Sequence, residues 1–285
     1  MKYRYLGRTG LRISEISLGT QTFGWNTGEA EAHAMLDRYA ERGGNYLDTA
    51  DSYNEGESEL ILGSWLKARG NHEDLIIGTK VFFDSKVGPD SNRMGHSRKH
   101  IANSLDRSLS RLGVETIDLY QLHCYDAGTA LDEILDTMED LIRRGKILHF
   151  GLSNFTPSTI AKMATIASFR GFHRPSALQL EYSLLVRSPE WELLPVCAEE
   201  EMGTLAWSPL AGGWLSGKYR KDARPPENSR AGRNDRWDDQ AEQRGGERTW
   251  AILAIIEKIA ASRGVPPSQV ALNWLRRKPS LSSIL

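Results

Sequence analysis

Short apolar runs alternate with longer amphipathic stretches along nearly the whole chain. Runs of the first kind fall at 16–19, 46–48, 75–79, 117–122, 147–152, 177–180, 204–207 and 281–285. Between them, apolar residues recur at three- and four-residue spacing over 29–42, 58–67, 98–112, 131–144, 157–170, 190–201 and 250–276, the last broken near 264–267. The first pattern predicts strands and the second helices. Gly43, Gly113 and Gly145 stand where helix ends favour a residue at ease with positive φ.

Strands this short and apolar, each separated from the next by a helix, predict a parallel sheet covered on its outer face by helices. Eight of them, with no Gly/Ser or Pro linker dividing the chain, predict a closed α/β barrel of the (β/α)8 or TIM type, a fold of ~250 residues. An open doubly wound sheet usually carries a G-x-G-x-x-G turn after its first strand. Here residues 19–24 read GTQTFG, which lacks that spacing. Ahead of the first barrel strand, 3–6 and 11–13 flank Gly7-Arg8-Thr9-Gly10 and predict an N-terminal β-hairpin closing one end of the barrel. Residues 1–285 are thus expected to form a single barrel domain that ends at strand eight, without the last helix.

Composition narrows the setting. The 285 residues carry 36 Lys plus Arg against 37 Asp plus Glu, a net charge of -1, which gives no electrostatic reason to bind nucleic acid or an anionic membrane. Two cysteines, Cys124 and Cys197, cannot build a disulfide framework or a multi-cysteine metal site, so a reduced cytoplasmic setting is expected. The start, MKYRYLGRTG, lacks the apolar core of a signal peptide. The most apolar helical stretch, 250–260, is interrupted by Glu257 and Lys258 and is too short for a bilayer, so no membrane insertion is expected.

In a barrel of this kind the reacting groups project from the C-terminal ends of the strands. Those positions hold Asp48 and Tyr53 after the second strand, Lys80 at the end of the third and His123 at the end of the fourth. Singly, each has a bland reading: a turn cap, a half-buried aromatic, a solvated strand end, a hydrogen-bonded core histidine. Four proton-handling side chains at one end of three adjacent strands form a set. A tyrosine is a poor acid at neutral pH. A nearby ammonium favours the phenolate, and that ammonium needs a carboxylate partner in a partly buried site. An imidazole beside the phenol can orient or polarise a carbonyl oxygen. The set can protonate an oxygen as charge develops on it. It holds no nucleophile, so a carbonyl reduction would take its hydride from a cofactor.

Several ordered motifs sharpen this. GGNYLDTADSY at 43–53, TK at 79–80, IDLYQLH at 117–123, GLSNF at 151–155 and WSPLAGG at 207–213 resemble the aldo-keto reductases over nearly the whole length. MKYRYLGRTGLRIS at the start, SRKHI at 97–101 and residues 207–219 are most similar to the branch of voltage-gated potassium channel β-subunits and their bacterial relatives. The resemblance implies an NADP(H)-dependent reduction of aldehydes, and of ketones, to alcohols. Tyr53 would be the general acid, Lys80 would ease release of its proton, Asp48 would hold Lys80, and His123 would orient the substrate carbonyl. Ser153, Asn154 and Gln179 would bond the nicotinamide carboxamide, and Trp207 would stack on its ring. Ser208, Leu210, Gly212 and Lys218 would line the pyrophosphate and Arg230 would reach the phosphates at the adenosine end; Thr20, Gln21, Asp48, Pro209 and Ala211 complete the cofactor set. Trp25, Tyr53, His123 and Cys124 would border the pocket of a small carbonyl substrate. Cys124 stands where many members carry a large aromatic. Members also continue past strand eight with a loop and helix that grip the adenosine 2'-phosphate, whereas this sequence ends on that strand, at Leu285.

Other motifs compete. GGWLSGKY at 212–219 nearly spells a P-loop, but Tyr219 stands where a small hydroxyl must meet Mg²⁺. His96 and His100, four apart, lack a third ligand in register, so no metal is expected and both read as solvated polar residues. Trp65, Trp191 and Trp274 lie in helical patterns and read as packing residues. The polar stretch 220–248 reads as a surface loop or a clasp over the cofactor pyrophosphate. The rival function is a cofactor-sensing regulatory module of a membrane channel. Mammalian channel subunits of that branch carry Asn at the position of His123, so His123 favours an enzyme. Self-association is left open.

Overall fold

The computed structural model describes residues 1–84, 92–221, 223–227, 229–233 and 245–285. The chain opens with the expected hairpin: β1 (Tyr3–Tyr5) pairs antiparallel with β2 (Arg12–Ser14). Eight parallel strands follow, β3 (Leu18–Gly19), β4 (Tyr46–Asp48), β5 (Ile76–Val81), β6 (Ile117–Leu122), β7 (Ile147–Ser153), β8 (Ala177–Glu181), β9 (Gly203–Trp207) and β10 (Ser283–Ile284). Each pairs with its neighbour in chain order. The ends of the sheet meet: the Ser17 N–H donates to the Ile284 carbonyl at 2.8 Å, and the Ile284 N–H to the Glu15 carbonyl at 3.2 Å. The fold is the (β/α)8 barrel.

The connecting helices are α1 (Glu29–Glu41), α2 (Glu57–Arg69), α3 (Arg98–Leu112), α4 (Leu131–Arg143), α5 (Pro157–Arg170), α6 (Leu193–Glu199), the short α7 (Arg230–Arg233), α8 (Glu247–Arg263) and α9 (Pro267–Arg276). Local chemistry sets their ends. Ser97 and Thr156 cap α3 and α5 by accepting the N–H of His100 and Thr159, and Gly113, Gly171 and Gly264 close three helices in the left-handed region. The continuous helix expected over 190–201 is instead a single 3-10 turn, Ser188–Glu190, followed by α6. Arg187 grips the Glu190 carboxylate at 2.6 and 2.8 Å, which holds that turn apart. Pro195 has no N–H to donate and fits only the first turn of a helix, so α6 begins at Leu193. Trp191 lies between the two pieces and is 81% exposed, which overturns its reading as a packing residue. Trp65 is buried, and Trp274 packs beside Tyr182.

The barrel interior divides in two. Toward the hairpin, Leu6, Ile13, Tyr46, Ile76, Leu119, Ala177 and Leu205 form an apolar plug. Toward the C-terminal strand ends the buried side chains become polar: Asp48, Lys80, Gln121 and Gln179. Register brings these together, with Asp48 opposite Gly78, Lys80 opposite Gln121 and Ser153 opposite Gln179. Gly78 is a spatial necessity, because a Cβ there would stand 2.5 Å from the Tyr46 hydroxyl. Outside the barrel, the large apolar core lies between the strands and the helices that surround them. A satellite cluster of Trp214, Leu215, Tyr219, Leu253 and Ile256 anchors the chain after β9 against α8.

Candidate active site

Lys80 is wholly buried at the polar end of the barrel. Its ammonium donates to Asp48 Oδ2 at 2.5 Å, to the Thr49 carbonyl at 2.8 Å and to the Tyr53 hydroxyl at 3.1 Å. All three donors of the ammonium are thereby used. Burial works against its charge, but the Asp48 carboxylate and Tyr53 outweigh that and hold the ammonium above its ordinary range. Asp48 Oδ1 accepts from Gln179 Nε2 at 2.7 Å, Gln121 Nε2 at 3.1 Å and the Tyr46 hydroxyl at 3.2 Å. A buried ion pair is tolerable only when its remaining lone pairs are satisfied in this way. Burial and the Asp48 charge push the Tyr46 phenol well up, so it stays a donor.

Tyr53 stands on the turn between β4 and α2, half-buried, with its ring 5.8 Å from that of His123 at 75°. Burial, then the Lys80 ammonium and His96, push His123 well below its usual range. It is therefore a neutral imidazole at neutral pH, able to donate through one nitrogen and accept through the other. Its Nδ1 is buried and has no partner among the described residues. Phe83 lies edge-on to the same ring at 5.3 Å. A phenol backed by an ammonium, beside a neutral imidazole, can give a proton to an oxygen that is becoming anionic.

Around this centre stand the residues assigned to a cofactor. Asn154, at φ 57, donates from Nδ2 to the His123 carbonyl and to Ser153 Oγ, both at 3.0 Å, and its Oδ1 accepts from Trp207 Nε1 at 3.3 Å. The indole is thus fixed beside two polar groups at the strand ends. Beyond it, Ser208, Ala211, Gly212 and Gly213 all take positive φ, in turns that close with the Gly212 N–H on Ser208 Oγ at 3.2 Å. Pro209 and Leu210 are half-buried within this run. Lys218 bends back over it, since a Cβ on Gly213 would lie 2.7 Å from Lys218 Nζ. Left-handed turns with a cation above them suit a phosphate. Thr20 is buried and donates to the Asp48 carbonyl at 3.0 Å, while the Gln21 carbonyl accepts from Asn54 Nδ2 at 3.0 Å. Trp25 is 40% exposed in the loop after β3, and Cys124 is half-buried next to His123. The Arg230 side chain and residues 222, 228 and 234–244 of the stretch read as a clasp lie outside the described residues.

The sequence model of the aldo/keto reductase family matches residues 15–285. The chain belongs to the aldo/keto reductase family. It is 37% identical over 301 residues to an uncharacterized oxidoreductase, YrpG, of Bacillus subtilis (strain 168), spanning 99% of this chain and 86% of that one. It is 33% identical to a probable voltage-gated potassium channel subunit beta of Oryza sativa subsp. japonica, over 100% of this chain and 86% of the relative. It is 30% identical to versiconal hemiacetal acetate reductase of Aspergillus parasiticus, over 98% and 87%. Aldo/keto reductases are oxidoreductases that act on small carbonyl compounds with a nicotinamide cofactor.

Two histidines near the site depart from the expectation that they are solvated. His96 and His100 are not solvated: they are 0% and 1% exposed, and His96 lies edge-on to Phe82 at 5.1 Å. Among the described residues no group of three His, Cys, Asp or Glu is arranged to hold a metal, and no helix is long and apolar enough to cross a membrane. Sequence reasoning also passed over Tyr46 and Gln121, which fasten Asp48. The signal for them was period two: Tyr46 and Asp48 share one face of β4, and Gln121 shares a face with Leu119 on β6, so a polar side chain there must point into the barrel.

Proposed function

We propose that this chain reduces aldehydes, and ketones, to alcohols with NADPH, Tyr53 giving the proton. The observation that carries the reading is the chain of contacts from Asp48 through Lys80 to the Tyr53 hydroxyl, at 2.5 and 3.1 Å, beside a neutral His123. A nicotinamide cofactor, when bound, supplies the hydride. The residues fit such a group: Ser153 and Asn154 offer a hydroxyl and an amide for its carboxamide, Trp207 an aromatic face, and the 208–213 turns with Lys218 a phosphate cradle. Gln179 stands next to them, but its Nε2 is turned onto Asp48 and leaves its oxygen for a ligand.

In this reading the substrate oxygen sits between the Tyr53 hydroxyl and the His123 ring. The neutral imidazole donates a hydrogen bond that orients the carbonyl and polarises it. As the oxygen gains charge, Tyr53 transfers its proton to it, and the Lys80 ammonium stabilises the phenolate left behind. Asp48 keeps that ammonium charged and fixed. Trp25 and Cys124 would border the substrate.

Replacing Tyr53 by Phe removes the proton and little else. NADPH oxidation with a small aldehyde should fall by at least ~100-fold, within the range general acids contribute, while NADPH binding followed by fluorescence stays near that of the wild type. A variant that keeps half of the wild-type rate would sink the assignment. The choice of NADP over NAD is a family habit carried to this chain; titrating both cofactors tests it, and equal affinities would refute it. The likeness to a protein named as a channel β subunit supports a second reading, a cofactor-sensing binding module. Wild-type protein that binds NADPH but turns over none of a panel of carbonyls would favour that one.

A further inference from the structure

Behind the Tyr53 turn lies a buried charge cluster that the proposed reaction does not use. Glu59, in the first turn of α2, has no exposed surface. Its Oε1 accepts from Thr79 Oγ1 at 2.6 Å and its Oε2 from Arg111 Nη1 at 3.0 Å. Thr79 is the residue before Lys80. The same Arg111 nitrogen donates to the Asp51 carbonyl at 3.3 Å, and the guanidinium lies against Gly56, where a Cβ would stand 2.4 Å from Arg111 Cζ. Asp51 and Gly56 bracket the turn that carries Tyr53. The Asp51 N–H is in turn held by the Lys80 carbonyl at 3.2 Å.

That turn is strained. Asn54, Glu55 and Gly56 follow one another at φ 50, 59 and 94, two of them without the freedom of glycine. Such a run persists only where its surroundings over-determine it. On one side Asn54 Nδ2 is tied to the Gln21 and Phe23 carbonyls. On the other side stands Arg111. Burial, then the Glu59 carboxylate, raise the neighbouring Asp51 carboxyl to about 8, and Arg111 Nη1 pairs with Glu59 Oε2 at 3.0 Å.

We propose that Glu59 and Arg111 are positioning residues, which clamp residues 51–56 to the end of β5 and so keep the Tyr53 hydroxyl within reach of Lys80. Arg111 suits the task because a planar guanidinium can bond a carboxylate and a carbonyl while packing against Gly56; a lysine ammonium cannot do all three. The inference rests on Tyr53 being the proton donor. Loosening the clamp moves the phenol by a fraction of an ångström to an ångström, and misplacement on that scale costs up to about 100-fold in rate.

Two variants test it in the full-length protein. Arg111→Lys keeps a cation for Glu59. Glu59→Gln with Arg111→Met removes both charges together, so that no unpaired charge stays buried. In both, kcat should fall about 10- to 100-fold while the NADPH dissociation constant stays within about twofold. A second readout needs no turnover: the step in a 295 nm absorbance titration that Tyr53→Phe abolishes should move to higher pH as the phenol leaves the ammonium. Folded variants with wild-type kcat and an unmoved Tyr53 step would overturn the proposal. A wild type inactive on every carbonyl would count against the proposed function instead, while the titration step would still decide whether the clamp exists.

Discussion

His96 has no exposed surface, lies edge-on to Phe82 and stacks 6.3 Å from Phe155, and burial above all pushes its imidazole down to about 4. In the unfolded chain the same group titrates near 6.5. Between those values the unfolded state binds a proton that the folded state refuses, so stability falls as pH drops from about 6.5 to about 4 and no further below that. The loss amounts to about 3 kcal/mol for this residue. Urea unfolding at pH 7 and pH 4.5 should show a smaller difference for His96→Phe than for the wild type; equal differences would remove His96 from the account. Nothing in the sequence near His96 announces its burial, because a histidine at a probable helix start reads as a solvated polar residue. Asp48, Lys80, Tyr53 and His123 were legible for the opposite reason: polar groups at the ends of apolar strands have one place to point. Glu59 and Arg111 were not, since a charge in an amphipathic helix reads as its solvated face.

Helices and strands were legible wherever period alone decides, and the exceptions have physical causes. The eight strands and the hairpin lie where the apolar runs predict them. The split at 188–193 was hidden because the Arg187–Glu190 pair that isolates the first turn is a matter of side-chain reach. Gly63 shows the same limit inside α2. By helix propensity, Gly63→Ala in an isolated helix should stabilise by about 1 kcal/mol. Here a Cβ would stand 2.1 Å from the Arg111 carbonyl and 3.0 Å from the backbone of Leu112, since α2 crosses α3 at that point. Neither contact is with a flexible side chain, so the helices must part. Overpacking of this sort costs about 1–3 kcal/mol, enough to reverse the propensity gain. Thermal melts should place Gly63→Ala below the wild type, and a raised midpoint would mean that α2 shifts freely. Forcing the helices apart would also carry Arg111 away from Gly56, so a variant that melts low should turn over slowly.

For the whole molecule, sequence dictated a parallel sheet and its strand number, but closure depends on a seam that no local pattern reveals. Residues 117–122 of β6 run against 147–152 of β7 in a long ladder, and β5 extends it on the other side. The seam is far thinner: β10 offers two residues to β9, and the barrel closes through the backbone bonds that Ile284 makes to Glu15 and Ser17. Serine side chains reinforce it, with Ser283 Oγ donating to the Ser14 carbonyl at 2.6 Å. Local opening needs least free energy where the fewest backbone bonds must break. Native-state amide exchange should therefore be slowest at Tyr120, Leu122, Phe150 and Leu152, and fastest within the barrel at Ser17 and Ile284. The distribution matters to the site. Lys80 lies in β5 and His123 directly follows β6, in the long ladder, while Thr20 and Gln21 follow the strand beside the seam, so Lys80 and His123 keep their spacing when the seam breathes. Uniform protection around the barrel would show that it opens as one unit, and the seam would then have no part in admitting a ligand.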